Sequence, residues 1–311
     1  MFIANSPKAL RAQTGWTSCA ATIGNFDGLH RGHQELLRRT VECARACGLP
    51  AVVITFDPHP AALFTEYPPK QLCSRKQCLS MLEEMGVDAV LLMPFTRELA
   101  EQSAENFCRT VLQYELGVKE LFVGYDFRLG CDQAGADRMR DFGTYALTQV
   151  DAVLADGMPI SSTRIRKALA EGRLQEANAL LGRPFSVCGE IVHGAGRGGP
   201  LLGVPTANLD VDDAQAMPAP AAYATSARLL DGPEEERGWR MSVTSFCKNP
   251  TFDGTHLTLE THILDFEGDI YGRQLEVRFV EELRKERRFN GLDALIAQLK
   301  ADMEARRALP L

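Results

Sequence analysis

Two histidines, His30 and His33, close a glycine-bearing stretch that reads Gly24-Asn25-Phe26-Asp27-Gly28-Leu29-His30-Arg31-Gly32-His33. Glycine lets backbone N–H groups come close to a ligand, and the first turn of a helix gathers unpaired N–H donors that favour anions. A strand is expected before this stretch and a helix from the second histidine onward, so one short segment holds the parts of a phosphate cradle. A pair of histidines near a helix start is by itself more often structural; the glycines and Asp27 around this pair reverse that weighting. A second segment, Ile160-Ser161-Ser162-Thr163-Arg164-Ile165-Arg166, offers hydroxyls and a guanidinium. Its plain reading is a helix cap with solvated basic residues. As a partner to the first cradle, its hydroxyls and Arg166 would hold the β- and γ-phosphates of a nucleotide.

A third chemistry-bearing segment lies far along the chain. In Leu257-Thr258-Leu259-Glu260-Thr261-His262-Ile263, strand alternation sets Leu257, Leu259 and Ile263 on one face and Glu260 with His262 on the other. A glutamate in such a place is usually only solvated. The stretch His193–Gly199 formally contains GxGxxG, yet Pro200 follows where a helix should start, so a dinucleotide fingerprint is rejected. Pro205-Thr206-Ala207-Asn208 taken alone reads as a turn.

The elements that must position these residues follow from hydrophobic patterning. Strand-like runs at Cys19–Asn25, Ala51–Phe56, Ala89–Met93 and Glu120–Tyr125 alternate with helices near 33–47, 75–85 and 104–114. Strands separated by helices predict a Rossmann-like parallel α/β sheet covered on both faces, with ligands at the carboxyl ends of the strands. A helix ending at Gly172 and a shorter one ending at Leu181–Gly182 close this half. Beyond Pro184, runs at Ser186–Val192, Tyr223–Leu230, Arg240–Ser245, Leu257–Asp265 and Gln274–Val280 alternate in the strand sense, with Gly, Pro and Asp between them. They predict a small antiparallel β-barrel, followed by a C-terminal helix near 292–307. The expected domains are therefore 1–183 and 184–311.

Composition bounds the partners. The 311 residues carry a net charge of −7, which argues against nucleic acid or an anionic membrane as main partner. Nine cysteines are scattered without a CxxC pair. Cys43 and Cys47 lie one helical turn apart, but no second ligand pair follows, so reduced thiols rather than zinc are expected. No signal peptide or membrane-length apolar run is visible, and a cytoplasmic protein is expected.

These motifs resemble the HxGH and ISSTxxR elements of the nucleotidyltransferase superfamily. With Thr55-Phe56-Asp57-Pro58-His59-Pro60, Val123-Gly124-Tyr125-Asp126-Phe127-Arg128-Leu129-Gly130 and Gly203-Val204-Pro205-Thr206-Ala207-Asn208, the chain resembles the bacterial bifunctional riboflavin kinase/FAD synthetases almost end to end. That resemblance implies an HxGH-type FMN adenylyltransferase domain followed by a riboflavin kinase barrel. ATP and flavins would be its small-molecule substrates, FMN and FAD its products, and Mg²⁺ its cofactor. It further implies that Gly24, Phe26, Asp27, His30, His33, Ser162, Thr163 and Arg166 bind ATP, with His30, His33 and Arg166 acting on its phosphates. Asp57, Asp126, Phe127 and Arg128 would line the flavin and nucleotide pocket. In the barrel, Gly203, Pro205, Thr206 and Asn208 would bind nucleotide, with Thr206 on Mg²⁺. Glu260 would be the catalytic base, and Arg284, Glu286 and Phe289 would lie on the flavin side.

The chain departs from the family pattern at Cys131-Asp132-Gln133, where a basic residue is usual, and at Ala221-Ala222 and Phe246-Cys247-Lys248, where glycines are usual. Bulk in place of glycine can block close backbone approach. Two other readings therefore stand beside the bifunctional one. The first is an FAD synthetase with a weak or inactive kinase domain; the second is a non-catalytic, flavin-binding regulatory protein.

Overall fold

The structure, a computed structural model, describes residues 1–193, 205–248, 257–287 and 289–311. By mutual contact the chain divides into two compact units, Met1–Pro69 with Arg75–Ser162, and Lys70–Ser74 with Thr163–Leu311.

The first unit is built on strands β1 (Phe2–Ala4), β2 (Cys19–Ile23), β3 (Ala51–Asp57), β4 (Ala89–Pro94), β5 (Val118–Gly124) and β6 (Ala146–Val150). They form one six-stranded sheet in the order β1-β4-β3-β2-β5-β6, every neighbouring pair parallel. A small hairpin of β7 (Leu154–Ala155) and β8 (Met158–Pro159) follows. Both faces of the sheet are covered, so β2 is buried at every position. Val52 and Ile54 pack into one core with Phe107 and Leu112, whereas Val53 between them packs into another with Leu36, Leu37 and Leu82. After β2 the chain runs outward to β3 and β4, then returns to β5 on the other side. The carboxyl ends of β2 and β5 thus flank the switch point where α/β sheets bind ligands.

The sequence predicts an α-helix over 104–114. One α-helical turn, Ala104–Phe107, instead continues as the wider π-helix Cys108–Glu115, which buries Cys108, Val111 and Leu112 against the sheet.

The second unit contains a closed antiparallel barrel of β9 (Phe185–Val192), β10 (Ala207–Asp210), β11 (Ala221–Leu229), β12 (Arg240–Lys248), β13 (Leu257–Ile263) and β14 (Gln274–Lys285). Around the barrel the order is β10-β13-β12-β11-β14-β9. The helix Leu174–Leu181, expected with the first half, shares this unit. Its Asn178 accepts from the Phe185 N–H at 2.7 Å and donates to the Phe279 carbonyl at 3.0 Å. The C-terminal helix Leu292–Arg307 is held by Arg306, which is fully buried. Arg306 donates to the Thr225 carbonyl (2.6 Å), the Ser226 hydroxyl (2.9 Å) and the carbonyls of Leu309 and Pro310. Strand β10, read from sequence as a turn, exists because β9 and β13 pair with it on either side.

Candidate active sites

In the first unit, β2 ends in a loop whose backbone is unusual. Phe26, Gly28 and Leu29 all take positive φ (49°, 76° and 41°). For Phe26 and Leu29 the left-handed conformation costs about 1–2 kcal/mol each, and burial of both side chains at 1% exposure holds them there. The loop delivers His30 as the N-cap of helix Arg31–Cys47. The helix therefore begins two residues before His33, because the His30 ring takes over the capping role. Its Nδ1 accepts from the His33 N–H at 3.3 Å, so the proton of neutral His30 sits on Nε2. The two imidazoles are stacked, with centroids 3.7 Å apart and planes 16° apart. Gly32 makes the stack possible: a Cβ there would come within 3.2 Å of the His30 ring.

His33 Nδ1 is buried without a hydrogen-bond partner among the described residues. Burial, with His30 beside it adding to the effect, holds the His33 pKa well below the usual imidazole value. Two imidazoles at a helix start, with the first-turn N–H groups beside them, offer donors that an arriving phosphate could accept from. Ser162 joins them: its hydroxyl donates to the Asp27 carbonyl at 2.9 Å. Gly24 donates to the Ile54 carbonyl at 3.1 Å, which ties the start of the loop to β3.

At the end of β3, Asp57 forms an ion pair with Arg75. At the end of β5, Tyr125, Asp126 and Arg128 are exposed, and Phe127 packs against the core. Burial comes first, and the adjoining Asp126 second, in raising the Tyr125 pKa. The Cys131–Gln133 departure is a tight turn with a structural task. Asp132 accepts from the Ala104 N–H at 2.8 Å and pairs with Arg138 at 2.9 Å.

Thr163 and Arg166 belong to the second unit. Thr163 is exposed, and Arg166 donates through Nε to the Lys70 carbonyl at 2.7 Å.

In the barrel, Asn208 on β10 pairs with Glu260 on β13, and Ala207 with Thr261. Directly opposed residues project to the same side, and alternation adds Thr206 and His262 to that side. His262 Nδ1 lies 2.7 Å from the Pro205 carbonyl. A carbonyl only accepts, so Nδ1 carries the proton, and the bond locks the approach to β10 against β13. Glu260 opens onto a cavity of about 260 Å³ whose wall includes Thr206, Ser245, His262, Arg284, Glu286 and Phe289. Burial raises the Glu260 pKa. Ala221, Ala222 and Cys247, the positions that depart from glycine, lie on the same wall, and the cavity stays open beside them.

A second cavity of about 330 Å³ is lined by Pro205, Thr206, Phe266, Asp269 and Tyr271, among others. Tyr271 stacks on His193 at 3.8 Å. Thr206 borders both cavities. Gly203 and the stretches 194–200 and 249–252 lie outside the described residues.

Sequence reasoning missed Asp302. This carboxylate, 3% exposed, pairs with Arg284 at 2.9 Å on the wall of the first cavity and accepts from Gln298 at 2.6 Å. The available signal was Gln298, Asp302 and Arg306 at helical spacing, three polar groups on one face of the C-terminal helix. The Arg284 guanidinium also lies over the Phe289 ring at 5.2 Å.

Comparison with known proteins separates the same two parts. Residues 12–164 match the FAD synthetase family, and residues 181–309 match the riboflavin kinase family. A bifunctional riboflavin kinase/FMN adenylyltransferase from Pseudomonas fluorescens is 40% identical over 297 residues, which cover 94% of this chain and 93% of its own. Its namesake from Escherichia coli K12 is 38% identical over 297 residues, covering 94% and 92%. A crystal structure described as a macrolide-efflux protein from Streptococcus pneumoniae shares the fold, with TM-score 0.87, 32% identity and 99% of each chain covered. Among the described residues no helix is long and apolar enough to cross a membrane. A histidine-capped helix at a parallel sheet's switch point, an antiparallel barrel with a half-buried glutamate on a cavity wall, and relatives matched along nearly the whole length agree: the chain belongs to the bifunctional riboflavin kinase/FMN adenylyltransferase family.

Proposed function

We propose that the chain converts riboflavin to FMN in its barrel unit and FMN to FAD in its sheet unit, using one ATP in each step. The observation that carries this reading is the position of Thr206 between two cavities, one of which holds Glu260. Phosphoryl transfer needs a nucleotide on one side, a hydroxyl acceptor on the other, and charge-stabilising groups between them. The cavity with Arg284 and Phe289 takes the flavin, and the cavity with Phe266 and Tyr271 takes the nucleotide. Riboflavin's terminal hydroxyl is neutral, so its proton must leave as the phosphate arrives. Glu260 accepts it, and the burial that raises its pKa makes it a stronger base than a solvated glutamate. His262 holds Pro205 and hence Thr206 in place. The hydroxyl of Thr206 is a hard oxygen donor, of the kind that suits Mg²⁺ better than a softer ion. Thr206 would hold that ion, which when bound would neutralise phosphate charge.

The sheet unit performs a different reaction. The FMN phosphate is already anionic when it attacks the α-phosphorus of ATP, and pyrophosphate leaves, so no base is required. What the site must supply is positioning and donors. His30 and His33 donate from neutral rings to the ATP phosphates, beside Gly24, Phe26, Asp27 and Ser162. Thr163 and Arg166 hold the leaving pyrophosphate. Asp57, Asp126, Phe127 and Arg128 bound the flavin and nucleotide pocket. The functional division is placed between residues 183 and 184, close to where the second family match begins at residue 181. With ATP and free flavins as substrates, the protein works in the cytoplasm.

The test is direct. Purified protein with riboflavin, ATP and Mg²⁺ yields FMN and FAD, separated by chromatography. FAD from supplied FMN but no FMN from riboflavin would refute the kinase assignment. Absence of both products would refute the enzyme reading.

A further inference from the structure

At the far end of the helix that carries His33, Cys43 and Cys47 bring their sulfurs to 4.0 Å of each other. The sequence offers no second ligand pair for them, but the fold supplies a third ligand from another element. Glu120, on β5, places a carboxylate oxygen so that the three ligand atoms all lie within 4.8 Å of one another. We propose that Cys43, Cys47 and Glu120 form a site for one borderline-soft divalent cation of the zinc and cadmium class, separate from both catalytic sites.

Four features carry this assignment. Two thiolates on one tetrahedral ion, with metal–sulfur bonds near 2.3 Å, stand about 3.8 Å apart, so the observed sulfur spacing needs almost no adjustment. The cysteines occupy the last turn of helix Arg31–Cys47, where the carbonyl ends of the peptide dipoles favour a cation. The nearest competing cation on that turn, Arg45, is engaged with Asp88 at 2.5 Å, and Glu120 has no ion-pair partner among the described residues. Finally, Cys47 is exposed and Cys43 half-buried, so an ion can enter from solvent while the fourth coordination position keeps a water. Burial first, then Cys47 and Glu120, pushes the Cys43 thiol up to about 11. Three groups that repel each other's negative charge are the groups a cation relieves, and the two thiols release their protons to water as it binds.

Thiolate ligands also separate this site from Mg²⁺ chemistry, since Mg²⁺ requires oxygen donors. The helical rise sets Cys47 about 20 Å from His33, so a bound ion would brace the C-terminal end of that helix without touching the histidines.

The experiment uses the full chain, reduced with a phosphine and freed of metal by a chelator, titrated with Cd²⁺. The readout is the ultraviolet cadmium–thiolate charge-transfer band. Wild type should show one tight equivalent that disappears in Cys47→Ser and in Cys43→Ser. Loss of even an outer partner costs a metal site about 10–100-fold in affinity, so Glu120→Gln should weaken that equivalent at least about tenfold. Saturating Cd²⁺ should raise the Tm of wild type and leave that of Cys47→Ser unchanged. Circular dichroism checks that the variants fold, and FAD formation by metal-free Cys47→Ser should equal that of wild type. A band that persists in both serine variants would place the ion on other cysteines and overturn the proposal. No band in wild type would overturn it as well, and unchanged affinity in Glu120→Gln would overturn the three-ligand site.

Discussion

Asn208 and Glu260 face each other across adjacent antiparallel strands, although the chain makes two further barrel strands, β11 and β12, between them. The register that opposes them also brings His262 to the Pro205 carbonyl. Two motifs remote in sequence thereby become one wall, and the wall opens onto both cavities through Thr206. Charges on this wall, and on the histidine loop of the other unit, set how each reaction responds to pH and to substitution.

Burial raises the pKa of Glu260, so the folded protein holds the Glu260 proton more tightly than the unfolded chain does. Ionisation at neutral pH therefore opposes folding, and this cost appears as pH rises through the raised value. Glu260→Gln should raise the Tm at neutral pH while abolishing FMN formation. In wild type the acid limb of the kinase pH profile should lie above the ordinary glutamate range, and adenylylation of supplied FMN should lack that limb. A lowered Tm in Glu260→Gln, or a shared acid limb, would contradict the assignment.

His33 has the opposite sign. Its folded pKa is depressed well below 6.5, so near pH 6 the unfolded chain binds the proton and the folded protein does not. Stability from this residue is complete above pH 6.5 and declines as pH falls below it. Thermal unfolding followed from pH 7.5 to 5 should show a steeper loss in wild type than in His33→Asn. Parallel curves would show that His33 is not held neutral.

At Gly32 the constraint is space alone. A Cβ at this position meets the His30 ring at 3.2 Å, so Gly32→Ala should push the ring off its stack with His33. A shift of a few tenths of an ångström should cost less than the roughly 100-fold that a misplacement of about 1 Å costs, about a few-fold to tenfold in rate. FAD formation from FMN should fall by that amount while FMN formation from riboflavin is retained. An unchanged FAD rate would show that the stack is incidental.

Asp302 positions Arg284. Removing one partner of a buried ion pair costs about 3 kcal/mol, so Asp302→Ala should be destabilised to that extent in urea. The gentler Asp302→Asn should raise the KM for riboflavin more than it lowers kcat, because it leaves Glu260 untouched. Equal changes in KM for riboflavin and for ATP would point to a general loosening of the barrel instead.

The sequence carried the local part of this architecture well. The glycine-bearing loop before His33 and the alternation around Glu260 are short-range patterns, and the loop and strand form where those patterns place them. The parallel sheet and antiparallel barrel were legible for the same reason. What could not be read depends on contacts between distant segments. Ala207–Asp210 is a strand only because β9 and β13 flank it, with Val192 and Glu260 pairing with Asn208 from either side. Asp132 lies in a turn that departs from the family pattern, yet it serves as anchor for Ala104 and Arg138. Glu120 comes close to Cys43 and Cys47 from a different element, a neighbourhood that spacing along the chain could not show.

The division of labour between the two units is the central claim, and one measurement tests it most directly. Two variants, His33→Ala and Glu260→Gln, are each given riboflavin, ATP and Mg²⁺, and the flavins are separated by chromatography. His33→Ala should accumulate FMN with little FAD. Glu260→Gln should leave riboflavin unchanged, yet convert supplied FMN to FAD at the wild-type rate. If both folded variants lose both products alike, or if the two defects are exchanged, the assignment of one reaction to each unit is wrong.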